Sequence, residues 1–167
     1  MDEWINLINS DYKWTFWCMD KFKNELNQYF IKRKDYLDLY YYSIIKVKNK
    51  TLADEIYLRI KEKESTFEEI AKKYSEGPEK QTQGIVGPYS LGRAHPALAK
   101  LLQISAEGQI WGPKKFDIWW IIVRLNYIQK SSLDEKLSKE LALELGLKHI
   151  DEIINNESFE NLNQLLE

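Results

Sequence analysis

The spacing of apolar residues changes twice along this chain, and each change predicts a different kind of element. From about Asp11 to Lys34 the apolar residues recur at helical intervals and are mostly aromatic, which predicts an amphipathic helix. Leu39 to Val47 is a continuous aromatic and β-branched run, which is typical of a buried strand. A helical pattern returns after Ser132, so helices are expected on both sides of a mixed central region.

Two helices and a short strand are predicted between this first strand and Gly92. Thr51 to Lys63 carries apolar residues close to one helical face. Ser65 and Thr66 are both candidate caps, with Glu68 and Glu69 three residues further on, and this capping-box pattern predicts a helix that runs to Tyr74. The segment Glu76 to Gly92 is rich in turn residues, with Ile85 and Val86 as a short strand.

The second half of the central region is predicted to hold one helix and two strands. Pro96 suits the first turn of a helix that reaches Gln103. Ile110 to Phe116 is predicted as an edge strand because Gly112 and Pro113 interrupt it, and Ile118 to Ile128 as a buried strand. Beyond it, Ser132 begins a helix that Gly146 is expected to end, and Ser158 to Leu166 repeats the helical pattern.

These elements predict an α+β fold with the order β-α-α-β-α-β-β at its centre. The predicted organisation is an N-terminal helical segment at 1–38, a central domain at 39–128 and a C-terminal helical segment at 129–167. The C-terminal segment is expected to pack against the N-terminal one. With 44% apolar residues in 167, the chain is able to bury a substantial core.

Composition narrows the possible partners. The net charge is −2 with both signs mixed and no basic stripe, which argues against nucleic acid. Cys18 is the sole cysteine, and His95 and His149 are not spaced as metal ligands, so no intrachain disulfide and no metal site is predicted. No cofactor is predicted either. An acidic start without a long apolar run predicts no signal or membrane segment and favours the cytoplasm.

The central region resembles the parvulins, the small prolyl cis/trans isomerases, over about Tyr40 to Tyr127. The resemblance depends on the order and spacing of several short motifs. They are the first strand Tyr42-Ser43-Ile44-Ile45-Lys46-Val47, Phe67-Glu68-Glu69-Ile70-Ala71-Lys72-Lys73-Tyr74-Ser75, Gly84-Ile85-Val86-Gly87, His95-Pro96-Ala97-Leu98, Glu107-Gly108-Gln109-Ile110-Trp111-Gly112-Pro113 and the last strand Trp119-Trp120-Ile121-Ile122-Val123. It implies a four-stranded sheet surrounded by helices, and flanking helices like those of the parvulin foldases and chaperones.

The chain departs from the family at the positions that usually carry its chemistry. The two histidines that members usually have in the first and last strands are matched here with Ser43 and Trp120. The usual Asp or Cys after the second helix is matched with Gly77, and the Met and Phe of the proline pocket with Ala94 and Leu98. The resemblance therefore implies an isomerase with weak activity.

Prolyl isomerisation needs a dry apolar slot and hydrogen-bond donors rather than a nucleophile or metal. The barrier to rotation is about 18–20 kcal/mol and no bond is broken. Ser43 and Trp120 are the candidate catalytic residues, expected on the sheet face of Ile45 and Ile122, with Ser43 as donor and Trp120 as the dry floor. Trp119 is then expected to face the core.

The candidate substrate-binding residues are Gly77, Ala94, His95, Leu98 and Trp111. Simpler interpretations remain beside these. His95 is suited to capping a helix, Ser43 to filling space in a buried strand, and the aromatic N-terminal helix to packing rather than to client binding.

Three functions are consistent with these patterns. The first is a parvulin-type isomerase or foldase acting on proline-containing peptides or unfolded chains. The second is a non-catalytic peptide-binding chaperone or adaptor that uses the same cleft. The third is an assembly partner recognised through the flanking helices, which an exposed aromatic patch together with a filled cleft would favour. The sequence does not predict the client or the oligomeric state.

Overall fold

The computed structural model describes the backbone of residues 2–166 and the side chains of residues 10–155. It divides into two compact units, one made of Met1–Arg33 with Ser132–Glu167 and the other of Lys34–Ser131. The ends of the second unit are joined by Lys34, whose Nζ donates to Asp38 and to the carbonyl oxygen of Ser131, both at 2.8 Å. Burial alone would raise the pKa of Asp38, but the bonds from Lys34 and Ser131 lower it.

The first unit contains helix α1 (Asp2–Lys21), the start of α2 (Leu26–Leu37) and α6 (Glu135–Leu166). The single helix predicted from Asp11 to Lys34 is wrong, because a turn after Lys21 separates α1 from α2. Phe22, the first residue of that turn, and Leu26, the first residue of α2, are both buried, so the apolar spacing continues through the turn.

Gly146 does not end a helix, which is a second correction. α6 runs through it as one helix, and the predicted start of a new helix at Ser158 lies inside α6. A Cβ at Gly146 would come under 3.0 Å from Cys18 Sγ and from a ring atom of Trp14. The glycine therefore allows α6 to lie close against α1.

The second unit is built on an antiparallel sheet with the strand order β2-β1-β4-β3. Its strands are β1 (Leu39–Val47), β2 (Ile85–Ser90), β3 (Ile110–Phe116) and β4 (Trp119–Gln129). The predicted four-stranded α+β fold is confirmed. The two strands with the most continuous apolar sequence, β1 and β4, are the central pair, and the predicted edge strand β3 is at the edge.

Three helices of this unit join the strands: α3 (Lys50–Lys61), α4 (Phe67–Tyr74) and α5 (Pro96–Gln103). The predicted capping box is present at α4, where Thr66 Oγ1 accepts from the Glu69 N–H at 3.2 Å and Glu69 accepts from the Thr66 N–H at 3.0 Å. Pro96 occupies the first turn of α5, as expected from its missing N–H.

Both faces of the sheet are covered by apolar groups. One face packs on α3 and α4, in a cluster that includes Ile45, Val47 and Ile122 together with Ile56 and Phe67. The opposite face carries the even-numbered side chains of β1 and, as far as the irregularity after Leu125, the odd-numbered side chains of β4. Its cluster includes Tyr42, Ile44, Ile121, Val123 and, from α5, Leu102.

Candidate active site

A cleft of about 590 Å³ opens on the face of the sheet that α5 covers only in part. This size is within the roughly 300–1,000 Å³ of small-ligand sites. Residues from β1, β2, β4, α5, the β3–β4 turn and the short 3₁₀ helix Pro78–Thr82 surround it. The lining residues are Tyr42, Ile44, Lys46, Pro78, Glu79, Thr82, Ile85, Val86, Gly87, His95, Leu98, Phe116, Asp117, Trp119 and Ile121.

The floor of the cleft comes from alternate residues of the two central strands. β1 contributes Tyr42, Ile44 and Lys46, and β4 contributes Trp119 and Ile121. Lys46 is directly opposite Ile121 in the ladder, so Ile44 and Ile121 are diagonal neighbours on one face. Both isoleucines are 3% exposed, which makes the centre of the floor aliphatic and dry.

One wall is the 3₁₀ helix, and Gly84 holds it against the sheet. Gly84 has a φ of +86°, and its N–H donates to Glu79 O at 2.7 Å while its carbonyl oxygen accepts from the Ile44 N–H at 2.8 Å. A Cβ there would lie 2.9 Å from Ala71 Cβ and 3.0 Å from Ile44 O. Only glycine fits this conformation and this approach.

That wall carries an ion pair whose carboxylate is buried. Glu79, with a side chain 3% exposed, accepts a hydrogen bond from Ser75 Oγ at 2.6 Å and lies 3.5 Å from Lys46 Nζ. Ser75 Oγ in turn accepts from the Lys46 N–H at 3.0 Å. The carboxylate is thus compensated on both oxygens, as a buried charge requires.

The start of α5 forms the opposite rim. His95 caps the helix, with Nδ1 accepting from the Ala97 N–H at 3.3 Å, and its ring meets the Phe116 ring edge-on at 5.6 Å between centroids. His95 therefore both caps α5 and lines the cleft. Because Nδ1 is an acceptor, a neutral ring carries its proton on Nε2, which is then a donor. Leu98 also lines the cleft.

Tyr42 remains a neutral phenol over the ordinary pH range. Burial, followed by the negative charges of Tyr89 and Glu79, raises the pKa of Tyr42 to about 12. Its hydroxyl therefore keeps its proton at neutral pH, and the floor gains no anionic group there.

Ser43 and Trp120 share the sheet face of Ile45 and Ile122, as predicted, but that face is not the one that holds the cleft. Ser43 and Trp120 face away from the cleft, on the side covered by α3 and α4, while Trp119 lines the cleft. Ser43 is fully buried and accepts from Asn126 Nδ2 at 3.0 Å and from Arg124 at 3.3 Å, so it is not placed to donate to a substrate in the cleft. Trp120 packs against the cluster of that face.

Arg124 closes the polar network beneath Ser43. Its guanidinium lies 4.9 Å from the Phe67 ring centroid and forms an ion pair with Glu68. Burial would raise the pKa of Glu68, but the hydrogen bond from Arg124, a backbone bond and the charge of Arg124 lower it. This network stabilises the covered face and is separate from the cleft.

Three other predicted binding residues lie off the cleft lining. Gly77 precedes the 3₁₀ helix and Ala94 precedes His95, so each is next to a lining residue. Trp111 donates from Nε1 to Ser105 Oγ at 2.7 Å, which holds its indole beside the end of α5.

Sequence reasoning missed Ile44, Lys46, Glu79, Trp119 and Ile121. Alternation showed which strand residues share a face but not which face holds the cleft, since a sheet covered on both sides is apolar at successive positions. Glu79 gave one signal, a carboxylate in a turn-rich segment next to the position matched with the family's Asp or Cys.

Among the described residues, no group of three or more His, Cys, Asp or Glu side chains is arranged to hold a metal ion. Within the same part of the chain, no helix has both the length and the apolar character needed to cross a membrane.

Residues 45–127 match the family model Rotamase, the PPIC-type PPIASE domain. With the four-stranded fold described above, this places that region of the chain in the PPIC-type peptidyl-prolyl isomerase, or parvulin, family. Comparison with curated proteins found no match.

Solved structures share the fold. PrsA from Bacillus anthracis is 20% identical with a TM-score of 0.57, over 80% of this chain and 61% of that one. A SurA-like chaperone of Campylobacter jejuni is 17% identical with a TM-score of 0.54, over 98% and 70%. The parvulin domain of PpiD from E. coli is 25% identical with a TM-score of 0.50, over 59% and 95%. This chain therefore spans 61% of the length of the B. anthracis protein.

Proposed function

We propose that this protein is a prolyl cis/trans isomerase or foldase that acts on proline-containing peptides or unfolded chains. The observation that supports it is the open cleft on the sheet of a parvulin-family domain, with an apolar floor of Ile44, Ile121 and Trp119 and the apolar rim residue Leu98. The solved structures with the same fold include proteins described as foldases, isomerases and chaperones.

The cleft provides the conditions that rotation about a prolyl bond needs. The aliphatic floor takes the proline ring and excludes water from the amide, which weakens the solvation of its planar, polar form. The Nε2–H of His95 at the rim and the neutral hydroxyl of Tyr42 are the donors available to the peptide.

The same floor explains why the activity is expected to be weak. The two histidines of the family work as a pair, so their equivalents must be neighbours on the cleft face. Ile44 and Ile121 are such neighbours, and each follows directly after a residue first matched with a histidine, Ser43 or Trp120. Tyr42 and Trp119 do not, because Tyr42 is opposite Leu125, six residues or about 20 Å from Trp119. An aliphatic pair offers no donor to the twisted amide.

A second candidate is a peptide-binding chaperone or adaptor without catalysis. The replacement of the paired polar groups by Ile44 and Ile121 favours it, since an apolar slot binds a proline ring equally well in both isomers. Of the two features that would favour the assembly role, an exposed aromatic patch and a filled cleft, only the first is present among the described residues. Tyr12 and Phe16 of α1 are exposed, at 72% and 67%, but the cleft is open rather than filled by side chains.

The test measures isomer exchange in proline tetrapeptides, together with the refolding rate of a protein limited by prolyl isomerisation. Leu98→Ala should lower kcat/KM about tenfold, since it removes about 1.4 kcal/mol of apolar contact. Leu58→Ala is the matched control, because Leu58 is an exposed leucine on α3 and outside the cleft. Peptide binding without acceleration in either assay would select the chaperone; equal effects of both variants would reject the cleft.

A further inference from the structure

Glu79 is the one carboxylate that the cleft wall buries. Its side chain is 3% exposed, against the open position of Asp117 at the β3–β4 turn. A buried ion pair contributes little net stability, and apolar replacements of similar volume are often as stable. The charge of Glu79 therefore adds little to the stability of the fold, so its position is better explained by the cleft that Glu79 lines.

The carboxyl group of Glu79 occupies the space that a side chain at residue 77 would fill. A Cβ built on Gly77 would come under 3.0 Å from the carboxyl carbon and both carboxyl oxygens of Glu79. The backbone of Gly77 is extended and accepts any residue, so a side chain there is excluded by the Glu79 carboxyl group and not by strain.

We infer that Glu79 supplies the acidic group of this active site, from two residues further along the chain than the position matched with the family's Asp or Cys. The inference depends on the proposed isomerase function. It also accounts for the glycine at position 77, since any larger residue there would displace the carboxylate.

Two contacts fix the carboxylate in place. Ser75, the residue that ends α4, donates to Oε1 at 2.6 Å, and Lys46 lies 3.5 Å from Oε2. Because Lys46 is itself on the cleft floor, the pair links the wall to the sheet. These contacts orient the carboxylate of Glu79. An aspartate at residue 77 would instead be oriented by its short side chain.

The chemistry follows from the resonance of the amide. A planar prolyl amide carries partial negative charge on oxygen and partial positive charge on nitrogen, and a twisted amide loses most of this separation. A carboxylate beside the carbonyl oxygen disfavours the planar form more than the twisted one, which lowers the barrier. No bond to the protein is formed and no proton is transferred.

Glu79→Gln keeps the shape of the side chain and removes its charge. We expect kcat for a proline tetrapeptide to fall about tenfold and KM to fall with it, because the carboxylate acts by destabilising the bound planar amide and its removal relieves that strain. Glu62→Gln, which removes an exposed carboxylate from the end of α3, is the matched control and should leave both constants unchanged.

The second pair of variants moves the carboxylate. Glu79→Ala empties the space, and Gly77→Asp combined with Glu79→Ala places a carboxylate in it from the neighbouring position. The double variant should recover at least half of the turnover that Glu79→Ala loses. Circular dichroism and thermal unfolding establish whether each variant is folded. If Glu79→Gln does not fold, the comparison of Glu79→Ala with the double variant decides whether the carboxylate is required.

The outcomes distinguish a failure of the proposed isomerase function from a failure of the assignment of Glu79. A wild-type protein without isomerase activity overturns the proposed function and this assignment with it. An active wild type whose kcat is unchanged by Glu79→Gln, or lost without recovery in the relocated variant, overturns the assignment alone.

Discussion

The two faces of the sheet are built from the same two strands and are covered to different extents. On one face, α3 and α4 seal residues such as Ile45 and Ile122 in a cluster of fully buried side chains. On the other, α5 covers only part of the strands, so Ile44 and Ile121 are both core residues and the floor of a cleft. The difference is in the covering helices and not in the polarity of the strands.

Adjacent tryptophans show this division most directly. Trp119 lines the cleft and has Lys48 Nζ 5.3 Å from its ring centroid, whereas Trp120 packs on the covered face with Lys50 at 5.4 Å. Their surroundings are similar, yet only one faces the space where a peptide would bind. Replacing each in turn separates binding from stability.

The largest expected effect is on stability, from Trp120→Ala. We expect it to lower the free energy of unfolding by about 3 kcal/mol, since it removes a large ring from the covered cluster. Trp119→Ala should cost less stability and weaken proline-peptide binding at least tenfold, because it removes part of the cleft. Urea unfolding and fluorescence titration with a labelled peptide measure the two; an affinity loss confined to Trp120→Ala would reverse the assignment of the faces.

Tyr42 and Ser43 are neighbouring hydroxyl residues on opposite faces of the sheet, and they allow the same comparison of the faces. The next largest effect is on the pH dependence of stability. The pKa of Tyr42 is about 12 in the folded protein and about 10 when unfolded. A raised pKa means that its contribution is fully present below pH about 10 and is lost as the pH rises to about 12. We expect the wild type to lose about 2 kcal/mol more than Tyr42→Phe over this interval.

Denaturant unfolding across the alkaline range measures this difference, and ultraviolet titration of tyrosinate follows Tyr42 directly. Ser43→Ala is the control from the other face. It removes a hydroxyl that does not titrate, so its stability should follow pH as the wild type does. Parallel curves for the wild type and Tyr42→Phe would contradict the burial of Tyr42.

The sequence was sufficient to predict the fold because each element has a local cause. The capping box at Thr66, Pro96 at the start of α5 and the apolar runs of β1 and β4 all act within a few residues. The break between α1 and α2 and the passage of α6 through Gly146 depend on contacts between helices, which spacing along the chain does not contain.

The candidate site was predicted less well for a related reason. His95 and Leu98 lie in a segment whose motifs fix its place, and both line the cleft. In the strands, each matched position is one residue away from a residue that faces the cleft, and one residue in a strand reverses the face. Because both faces are apolar here, no polar residue in the pattern revealed which face holds the cleft.

The smallest expected effect tests that one-residue difference. Ile44→His combined with Ile121→His places two imidazoles on the cleft floor as diagonal neighbours, where they are able to donate to the twisted amide. We expect kcat/KM for a proline tetrapeptide to rise about tenfold, or 1.4 kcal/mol in the barrier. Both positions are buried, so the double variant should also be less stable, and activity is measured well below its unfolding temperature.

Ser43→His combined with Trp120→His is the matched control, with the same two side chains introduced one residue earlier in each strand. These histidines would enter the face covered by α3 and α4, next to Arg124 and Asn126, and should destabilise the fold without raising turnover. If the control gained activity and the cleft-face pair did not, the polar centre would belong to the covered face. If neither gained activity in a folded protein, the aliphatic floor would not be what limits turnover, which would favour peptide binding as the function of the cleft.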